Sequence, residues 1–216
     1  FDFSIELRHA ADRPSSEVID SAILEACRGI DFAELGSRYL SRSAWRRRGR
    51  ERFTEKLPAN FELLGLIARA LPGARFLHLV RDPVQTCFSN LRVLFNEAAG
   101  YSYDQRELAD YFLGYRELMR HWHACLPGRI LDVRFPELLA DTEAVARRVL
   151  DFCGLPFEHG VLESRKRGGA VTTASAAQVR GALDPARAEA WRPYAQQLRP
   201  LRSLLASALP SEVEAP

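Results

Sequence analysis

The sequence predicts an α/β protein with a central parallel sheet flanked by helices, and three observations support this fold class. Residues 75–80 form a near-continuous apolar run, which is typical of a strand buried on both faces of a sheet. Residues 129–135 form a second short run of strand type. Helix-length segments with apolar residues three and four apart surround both runs, and this alternation favours parallel strands joined by helical crossovers.

The first 52 residues are predicted to form a helical part of their own, on the acceptor side of the protein. A helix is expected over residues 15–28, with Ser15 or Ser16 as its cap, and a second short helix after Asp31. A basic run follows at residues 42–50. We expect a solvated loop or helix end there, with a nucleic-acid patch or a polyanion site as the alternatives.

Residues 53–209 are predicted to form the core, and residues 210–216 a loose tail. In chain order we expect a strand at 53–57, a helix at 59–71, a strand at 75–80, a helix from 83 to about 95, a loop at 96–103, a helix from 104 to about 126, a strand at 129–135, a helix at 142–153 and a last helix from about 185 to 205. Asp82, Asp104 and Asp141 are the predicted helix caps, with Pro83 in the first helical position after Asp82.

Composition excludes several classes of protein. Among 216 residues, a hydrophobic content of 47% supports a sizeable core, and no apolar stretch reaches the roughly 18 residues of a membrane span. The net charge of +2 does not favour a dedicated nucleic-acid binder. Four scattered cysteines without a C-x-x-C pair favour free thiols over zinc or disulfides, and we expect no metal and a cytoplasmic location.

Candidate anion-binding residues follow the predicted strand at 75–80. Arg81 stands at the strand end, directly before a helix whose first N–H groups attract anions, and its guanidinium can bind a phosphate with two hydrogen bonds. Ser89 lies two turns into that helix and adds a hydroxyl donor. The spacing alone also fits a simple ion pair between Arg81 and Asp82.

Further polar residues are predicted at the same edge of the sheet. Lys56 lies near the end of the strand predicted at 53–57, directly after residues 53–55, and Ser175, Gln178 and Arg180 lie in a polar segment that no hydrophobic period explains. Together with Arg81 they indicate a phosphate or sulfate site, although Lys56 alone also fits a solvated strand end. The sequence contains no Walker, G-x-S-x-G or H-E-x-x-H motif, so the corresponding nucleotide, serine-hydrolase and metalloprotease mechanisms are not indicated.

Several segments, in the same order along the chain, resemble the sulfotransferases. The resemblance is to the bacterial branch that is often joined to tetratricopeptide repeats and is similar to tyrosylprotein sulfotransferases. The matching segments are EKLPANF at 55–61, PGARFLHLVRDPVQTCFS at 72–89, YRELMRHW at 115–122, LPGRI at 126–130, DFCGLP at 151–156 and TASAAQVR at 173–180. The resemblance implies a P-loop-like three-layer fold with 3′-phosphoadenosine 5′-phosphosulfate as the sulfuryl donor. It also implies in-line transfer of the sulfuryl group to a hydroxyl or amine acceptor.

The resemblance assigns roles residue by residue. Arg81 and Ser89 would hold the 3′-phosphate, Lys56 would stabilise the transferring group with help from Ser175, and Gln178, Val179 and Arg180 would line the nucleotide. Glu6 resembles the catalytic glutamate of the family, and an ordinary surface glutamate is the alternative.

The sequence also departs from the family pattern. The 5′-phosphosulfate loop is expected before Phe1, so we expect residues 1–216 alone to bind the sulfuryl donor weakly and not to turn over. The family tyrosine after the second strand is replaced by Phe135, and a nucleotide-binding lysine by Ala190, with Arg187 or Arg192 as substitutes. A catalytically inactive nucleotide-binding or interaction domain is the alternative function. The acceptor stays open between peptide, glycan and small molecule, and the chain is compatible with a homodimer.

Overall fold

The computed structural model describes residues 3–13, 20–93, 95–162 and 189–206. In chain order its regular elements are α1 (Phe3–Ala10), α2 (Ser21–Ala26), α3 (Phe32–Arg42), α4 (Leu64–Ala70), β1 (Phe76–Val80), α5 (Pro83–Leu91), α6 (Gln105–Cys125), β2 (Ile130–Arg134), α7 (Phe135–Ala140), α8 (Thr142–Phe152) and α9 (Arg199–Leu204). Within these described ranges, no helix combines the length and the apolar character needed to span a membrane.

The chain divides into two compact units. The first unit comprises Phe1–Ala74 and Leu118–Arg129, and the second comprises Arg75–Glu117 and Ile130–Pro216. Helix α6 contributes to both units: its residues up to Glu117 belong to the second unit, and those from Leu118 onwards belong to the first. The predicted division of the chain at residues 52/53 stays a prediction.

In the first unit, α3 is the central helix. The ring of Phe3 on α1 contacts the ring of Tyr39 on α3 edge-on, with centroids 5.6 Å apart. On α3, Gly36 allows a close approach to α4, because a Cβ at this position would lie 2.0 Å from the carbonyl oxygen of Ala70. Asp31 begins α3 as predicted, and its carboxylate accepts from the backbone N–H groups of the first turn.

Side chains from residues 118–129 hold α4 within the same unit. Trp122 donates its indole N–H to the Phe61 carbonyl at 2.7 Å. The Arg129 guanidinium lies at the C-terminal end of α4, where carbonyl groups lack intrahelical partners. It donates to the carbonyls of Ala68, Leu71 and Ala74.

The second unit contains a parallel sheet of β1 and β2, which confirms the α/β prediction; the three-layer architecture stays a prediction. Phe76 pairs with Ile130 and Val80 with Arg134. The expectation that β1 is buried on both faces is wrong, since Leu77 is 40% and Leu79 63% exposed. The described sheet has only two strands, and no described layer covers that face.

The other face of β1 carries a polar network. His78 pairs in register with Asp132, and its Nδ1 lies 2.7 Å from the Asp132 carboxylate. Its Nε2 is hydrogen-bonded to the hydroxyl of Tyr115 on α6. With the proton on Nδ1, the imidazole donates to Asp132 and accepts from Tyr115. Burial raises the pKa of Tyr115 to about 12.

Helices α5, α6 and α9 build the apolar core of the second unit. Its buried members are Val84, Cys87, Phe88, Leu108, Ala109, Phe112, Leu198, Leu201 and Leu205. Gln105 fastens α9 to α6, since its amide donates to the Gln197 carbonyl at 3.1 Å and accepts from the Leu201 N–H at 3.2 Å. The core thus fixes α5 by the face that carries Cys87.

Several predicted elements need correction. Residues 53–57 have no regular secondary structure and form no strand, because no described segment pairs with them in a hydrogen-bonded ladder. The helix expected over 15–28 begins at Ser21 with Asp20 as its cap, since Asp20 is extended and accepts from the Ile23 N–H. The loop expected at 96–103 forms 3₁₀ turns with a kink at Ala99.

Candidate functional site

The second unit places Arg81 at the carboxyl ends of both strands. Val80 and Arg134 are register partners at the ends of β1 and β2, so Arg81 and Phe135 follow at the same edge of the sheet. The guanidinium carbon of Arg81 lies 4.5 Å from the ring centroid of Phe135. This distance is that of a cation–π contact, which restrains the guanidinium without using its N–H groups.

Arg81 carries a hydrogen-bonding group without a partner. Its Nε is buried and makes no hydrogen bond among the described residues. Burial lowers the pKa of Arg81 because desolvation disfavours the charged form, while the nearby Asp82 carboxylate opposes this effect. Arginine keeps its charge in proteins, so the site combines a desolvated cation with an unused donor. A bound anion would neutralise the guanidinium charge and accept a hydrogen bond from the Nε–H group.

Helix α5 begins directly after Arg81. Asp82 caps it as predicted, since its carboxylate accepts from the Gln85 N–H at 2.7 Å, and Pro83 occupies the first helical position. One turn further, the Ser89 hydroxyl donates to the Gln85 carbonyl at 2.8 Å. The Gln85 side-chain amide donates to the Ser89 hydroxyl oxygen at 3.0 Å. The hydroxyl predicted to bind phosphate is therefore held by Gln85.

The opposite side of α5 is closed to solvent. Val84, Cys87 and Phe88 are at most 5% exposed. Burial raises the pKa of the Cys87 thiol to about 12, and the Asp82 charge acts in the same direction. Cys87 is therefore an inert core thiol, and the helix that carries Ser89 is fixed by packing.

Lys56 lies in the first unit, whereas Arg81 and Ser89 lie in the second. Lys56 is exposed and makes no hydrogen bond or ion pair among the described residues. The residue before it is anchored, because the Glu55 carboxylate accepts from the Tyr39 hydroxyl and from Arg46, the latter at 3.2 Å. Burial and this bond raise the pKa of Tyr39. The Lys56 ammonium group thus follows an anchored side chain and has no partner among the described residues.

Glu6 is completely buried, with 0% of its surface exposed. One carboxylate oxygen accepts from Arg42 at 2.8 Å and the other from Arg38 at 3.2 Å. Both arginines lie on α3, so this ion pair joins α1 to α3. The role of Glu6 as a catalytic base stays a prediction, and the contacts themselves describe a structural tie.

The remaining predicted residues are distributed as follows. Ser175, Gln178, Val179, Arg180 and Arg187 lie outside the described residues. Ala190 packs against the apolar core of the second unit. Arg192 is exposed and pairs with Glu189 at 2.6 Å. Within the described residues, Arg81 directly precedes α5 and Ser89 lies two turns into the same helix, and their joint role in binding a phosphate stays a prediction.

Two residues of this site were not assigned a role from the sequence. Gln85 contacts Ser89, and its position midway between Arg81 and Ser89, four residues from each, is a signal that helical periodicity provides. Phe135 appeared only as the residue replacing a tyrosine, and its contact with Arg81 depends on strand register, which no local pattern reveals.

Comparison with known proteins gives the family of the chain. Over 170 residues, the chain is 35% identical to an uncharacterized protein of Aquifex aeolicus (strain VF5); the match covers 77% of this chain and 22% of that relative. The chain thus spans about a fifth of the length of the relative that it matches. The model of the sulfotransferase family matches residues 3–159, a stretch that contains Glu6, Lys56, Arg81 and Ser89. The chain belongs to the sulfotransferase family.

Proposed function

We propose that the protein transfers a sulfuryl group from 3′-phosphoadenosine 5′-phosphosulfate to an acceptor hydroxyl or amine. The observation that carries the proposal is the buried Nε of Arg81 at the carboxyl end of β1, which has no partner among the described residues, in a chain of the sulfotransferase family. The proposal includes the P-loop-like three-layer fold of that family. The nucleotide supplies the activated sulfuryl group when it is bound.

The residues around Arg81 fit the 3′-phosphate of this nucleotide. Phosphate monoesters carry about two negative charges near neutral pH and offer only acceptors, and Arg81 offers a desolvated cation with an unused N–H. The first turn of α5 adds the positive end of a helix dipole. Ser89 adds a hydroxyl when its proton turns from the Gln85 carbonyl to the phosphate. We therefore assign the 3′-phosphate to Arg81 and Ser89.

Lys56 is proposed to stabilise charge that develops during transfer. Its ammonium group is exposed and unpaired among the described residues, so it is available to a ligand. An interaction made mainly in the transition state affects kcat more than ground-state binding. In the full-length protein that contains residues 1–216, Lys56→Ala is expected to lower kcat while nucleotide affinity changes little, and Lys56→Arg should recover part of kcat. Normal kcat with poor nucleotide affinity would make Lys56 a binding residue only.

The assignments of Ser175, Gln178, Val179 and Arg180 continue to depend on resemblance to the family. Glu6 is the proposed catalytic base on the same ground, although its two arginine partners support a structural role. Glu6→Gln separates the roles: a base predicts lost kcat in a stable protein, and a tie predicts lost stability.

An inactive nucleotide-binding domain is the second candidate function. Phe135 and Ala190 replace two nucleotide-contacting residues of the family, and this substitution pattern favours it. The deciding experiment offers sulfur-labelled nucleotide to the full-length protein that contains residues 1–216, with peptide, glycan and small phenol or amine acceptors. Transfer that depends on Lys56 supports the enzyme. Tight nucleotide binding without label transfer to any acceptor class would support the inactive domain.

A further inference from the structure

Gln85 is almost completely buried beside the proposed phosphate site. It is 4% exposed, and its side-chain Nε2 donates to the Ser89 hydroxyl oxygen at 3.0 Å. Its Oε1 is buried and has no hydrogen-bond partner among the described residues. Nearly all buried polar atoms in folded proteins are hydrogen-bonded, so such an atom calls for an explanation.

The hydrogen bonds at Ser89 have a definite direction. A serine hydroxyl has one proton to donate and two lone pairs that accept. The Gln85 amide occupies a lone pair, and the hydroxyl proton is directed to the Gln85 carbonyl at 2.8 Å. That carbonyl also serves the helix ladder, so it can release the serine proton without losing its own bond.

A phosphate ligand requires this direction. A phosphate dianion offers acceptors only, so Ser89 can contact it solely as a donor. As long as Gln85 donates to Ser89, the hydroxyl has its proton left to offer. The unpartnered Nε of Arg81 and Oε1 of Gln85 mark the same helix start as incompletely satisfied without a ligand.

We propose that Gln85 is a positioning residue for the 3′-phosphate, acting through Ser89. It holds the Ser89 hydroxyl in the donor state and at a fixed place on α5, so that binding only turns one proton from the Gln85 carbonyl to a phosphate oxygen. The inference rests on the proposed function, because the proposed function assigns the 3′-phosphate to Arg81 and Ser89.

The test is calorimetric binding of adenosine 3′,5′-bisphosphate and adenosine 5′-monophosphate to the protein. Gln85→Met keeps the length of the side chain and removes its hydrogen bonds. It is expected to weaken bisphosphate binding by roughly tenfold and to leave monophosphate binding unchanged, because a hydrogen bond to a charged group is involved. In a Ser89→Ala background the same substitution should cause no further loss.

Gln85→Glu provides a nearly isosteric second variant. Its carboxylate accepts the Ser89 proton instead of donating, and it adds a negative charge, so the loss of bisphosphate affinity should exceed that of Gln85→Met. Thr86→Val is the matched control. It removes a hydroxyl of the same helix that bonds only the Asp82 carbonyl, at 2.9 Å, and bisphosphate affinity should be retained.

The outcomes separate the inference from the proposed function. A wild-type protein that does not bind adenosine 3′,5′-bisphosphate would contradict the proposed function itself. Wild-type binding with undiminished affinity in both Gln85 variants would overturn the inference alone. Equal losses for both nucleotides, or equal losses with and without Ser89, would also overturn it, since they indicate a general structural effect. If Gln85→Met does not fold, Gln85→Glu with and without Ser89→Ala gives the same comparison.

Discussion

Two buried polar groups of the described residues, one around Glu6 and one at Arg81, differ in how completely they are satisfied. In the first unit, Glu6 is fully buried and both of its carboxylate oxygens are bonded to arginines of α3. In the second unit, Arg81 rests on the Phe135 ring, and its buried Nε has no partner among the described residues. Both groups would appear in a sequence as charged residues near helix starts.

The difference indicates which group stabilises the fold and which binds a ligand. A buried carboxylate with two cations is electrostatically complete and gains nothing from a further ion. A desolvated guanidinium with an unused N–H is incomplete, and an anion completes it. We therefore expect changes at Glu6 to appear as stability, and changes at Arg81 to appear as nucleotide affinity.

The largest expected effect concerns the first group. The double substitution Arg38→Met with Arg42→Met leaves the Glu6 carboxylate buried without a partner. Removing the partners of a buried charge typically costs about 3–5 kcal/mol, so the free energy of unfolding in urea should fall by roughly that amount. Nucleotide binding by the protein that remains folded should be unchanged.

The matched control is Arg28→Met, which breaks the exposed pair with Glu25. Both side chains of that pair are more than 60% exposed, so its loss should leave the unfolding midpoint in place. A double variant as stable as this control would mean that the Glu6 cluster is not a structural tie.

The second effect concerns the incomplete group. Arg81→Ala should weaken binding of adenosine 3′,5′-bisphosphate by about 1.5–3 kcal/mol, because a charge-assisted phosphate contact is lost. The free energy of unfolding should change little, since Arg81 makes no hydrogen bond through its buried Nε. Calorimetry and urea unfolding measure the two quantities.

Arg75→Ala serves as control for this variant. Arg75 stands at the other end of β1 with its guanidinium 5.7 Å from the ring of Phe152, so it loses an arginine–ring contact of the same kind. Its affinity for the bisphosphate should match that of the wild type. Equal losses in both variants would point to a general electrostatic effect.

A satisfied polar network in the second unit sharpens the comparison. Tyr115→Phe removes the hydroxyl bonded to His78 and should cost about 0.5–1.5 kcal/mol of unfolding free energy at neutral pH. Because this network is complete, nucleotide affinity should stay constant. If Tyr115→Phe lost more free energy of bisphosphate binding than free energy of unfolding, Tyr115 would belong to the binding site.

The same variant has a predicted pH signature. The pKa of Tyr115 in the folded protein, about 12, lies above its ordinary value of 10. Its contribution to stability is therefore complete below pH 10 and is lost as the pH rises towards 12. Tyr115→Phe should lose less stability across this interval than the wild type, and Tyr39, present in both proteins, cancels from the difference.

The smallest effect concerns the ring beneath Arg81. Phe135→Ala removes a cation–π contact and should weaken bisphosphate binding by about 0.5–1 kcal/mol, whereas Phe135→Tyr should preserve affinity. The effect should vanish in an Arg81→Ala background. If Phe135→Ala caused the same loss of affinity in that background, Phe135 would contact the nucleotide itself or act through stability.

Local signals account for what the sequence predicted correctly. The apolar run of β1, the Asp82 cap and Pro83 act within a few residues of each other, and they place Arg81 directly before a helix and Ser89 two turns into it. The caps at Asp31, Asp104 and Asp141 are equally local. The exposure of Leu77 and Leu79 was not predictable in this way, because it depends on how many strands and layers surround β1.

Long-range pairing accounts for what the sequence did not reveal. Glu6 meets Arg38 and Arg42 across 32 and 36 residues, so no spacing rule connects them. Phe135 meets Arg81 through the register of two strands separated by a long crossover. The segment at 53–57 has strand-like composition, but a strand exists only where a partner supplies the hydrogen-bonded ladder.

The most direct test of the central claim is the ratio of two affinities measured by calorimetry on the wild-type protein and on Arg81→Ala. If Arg81 and its helix start bind the 3′-phosphate, the wild type should bind adenosine 3′,5′-bisphosphate at least roughly tenfold more tightly than adenosine 5′-monophosphate. The ratio should fall towards one in Arg81→Ala. A wild-type ratio near one, or a ratio that Arg81→Ala leaves unchanged in a folded protein, would contradict the account.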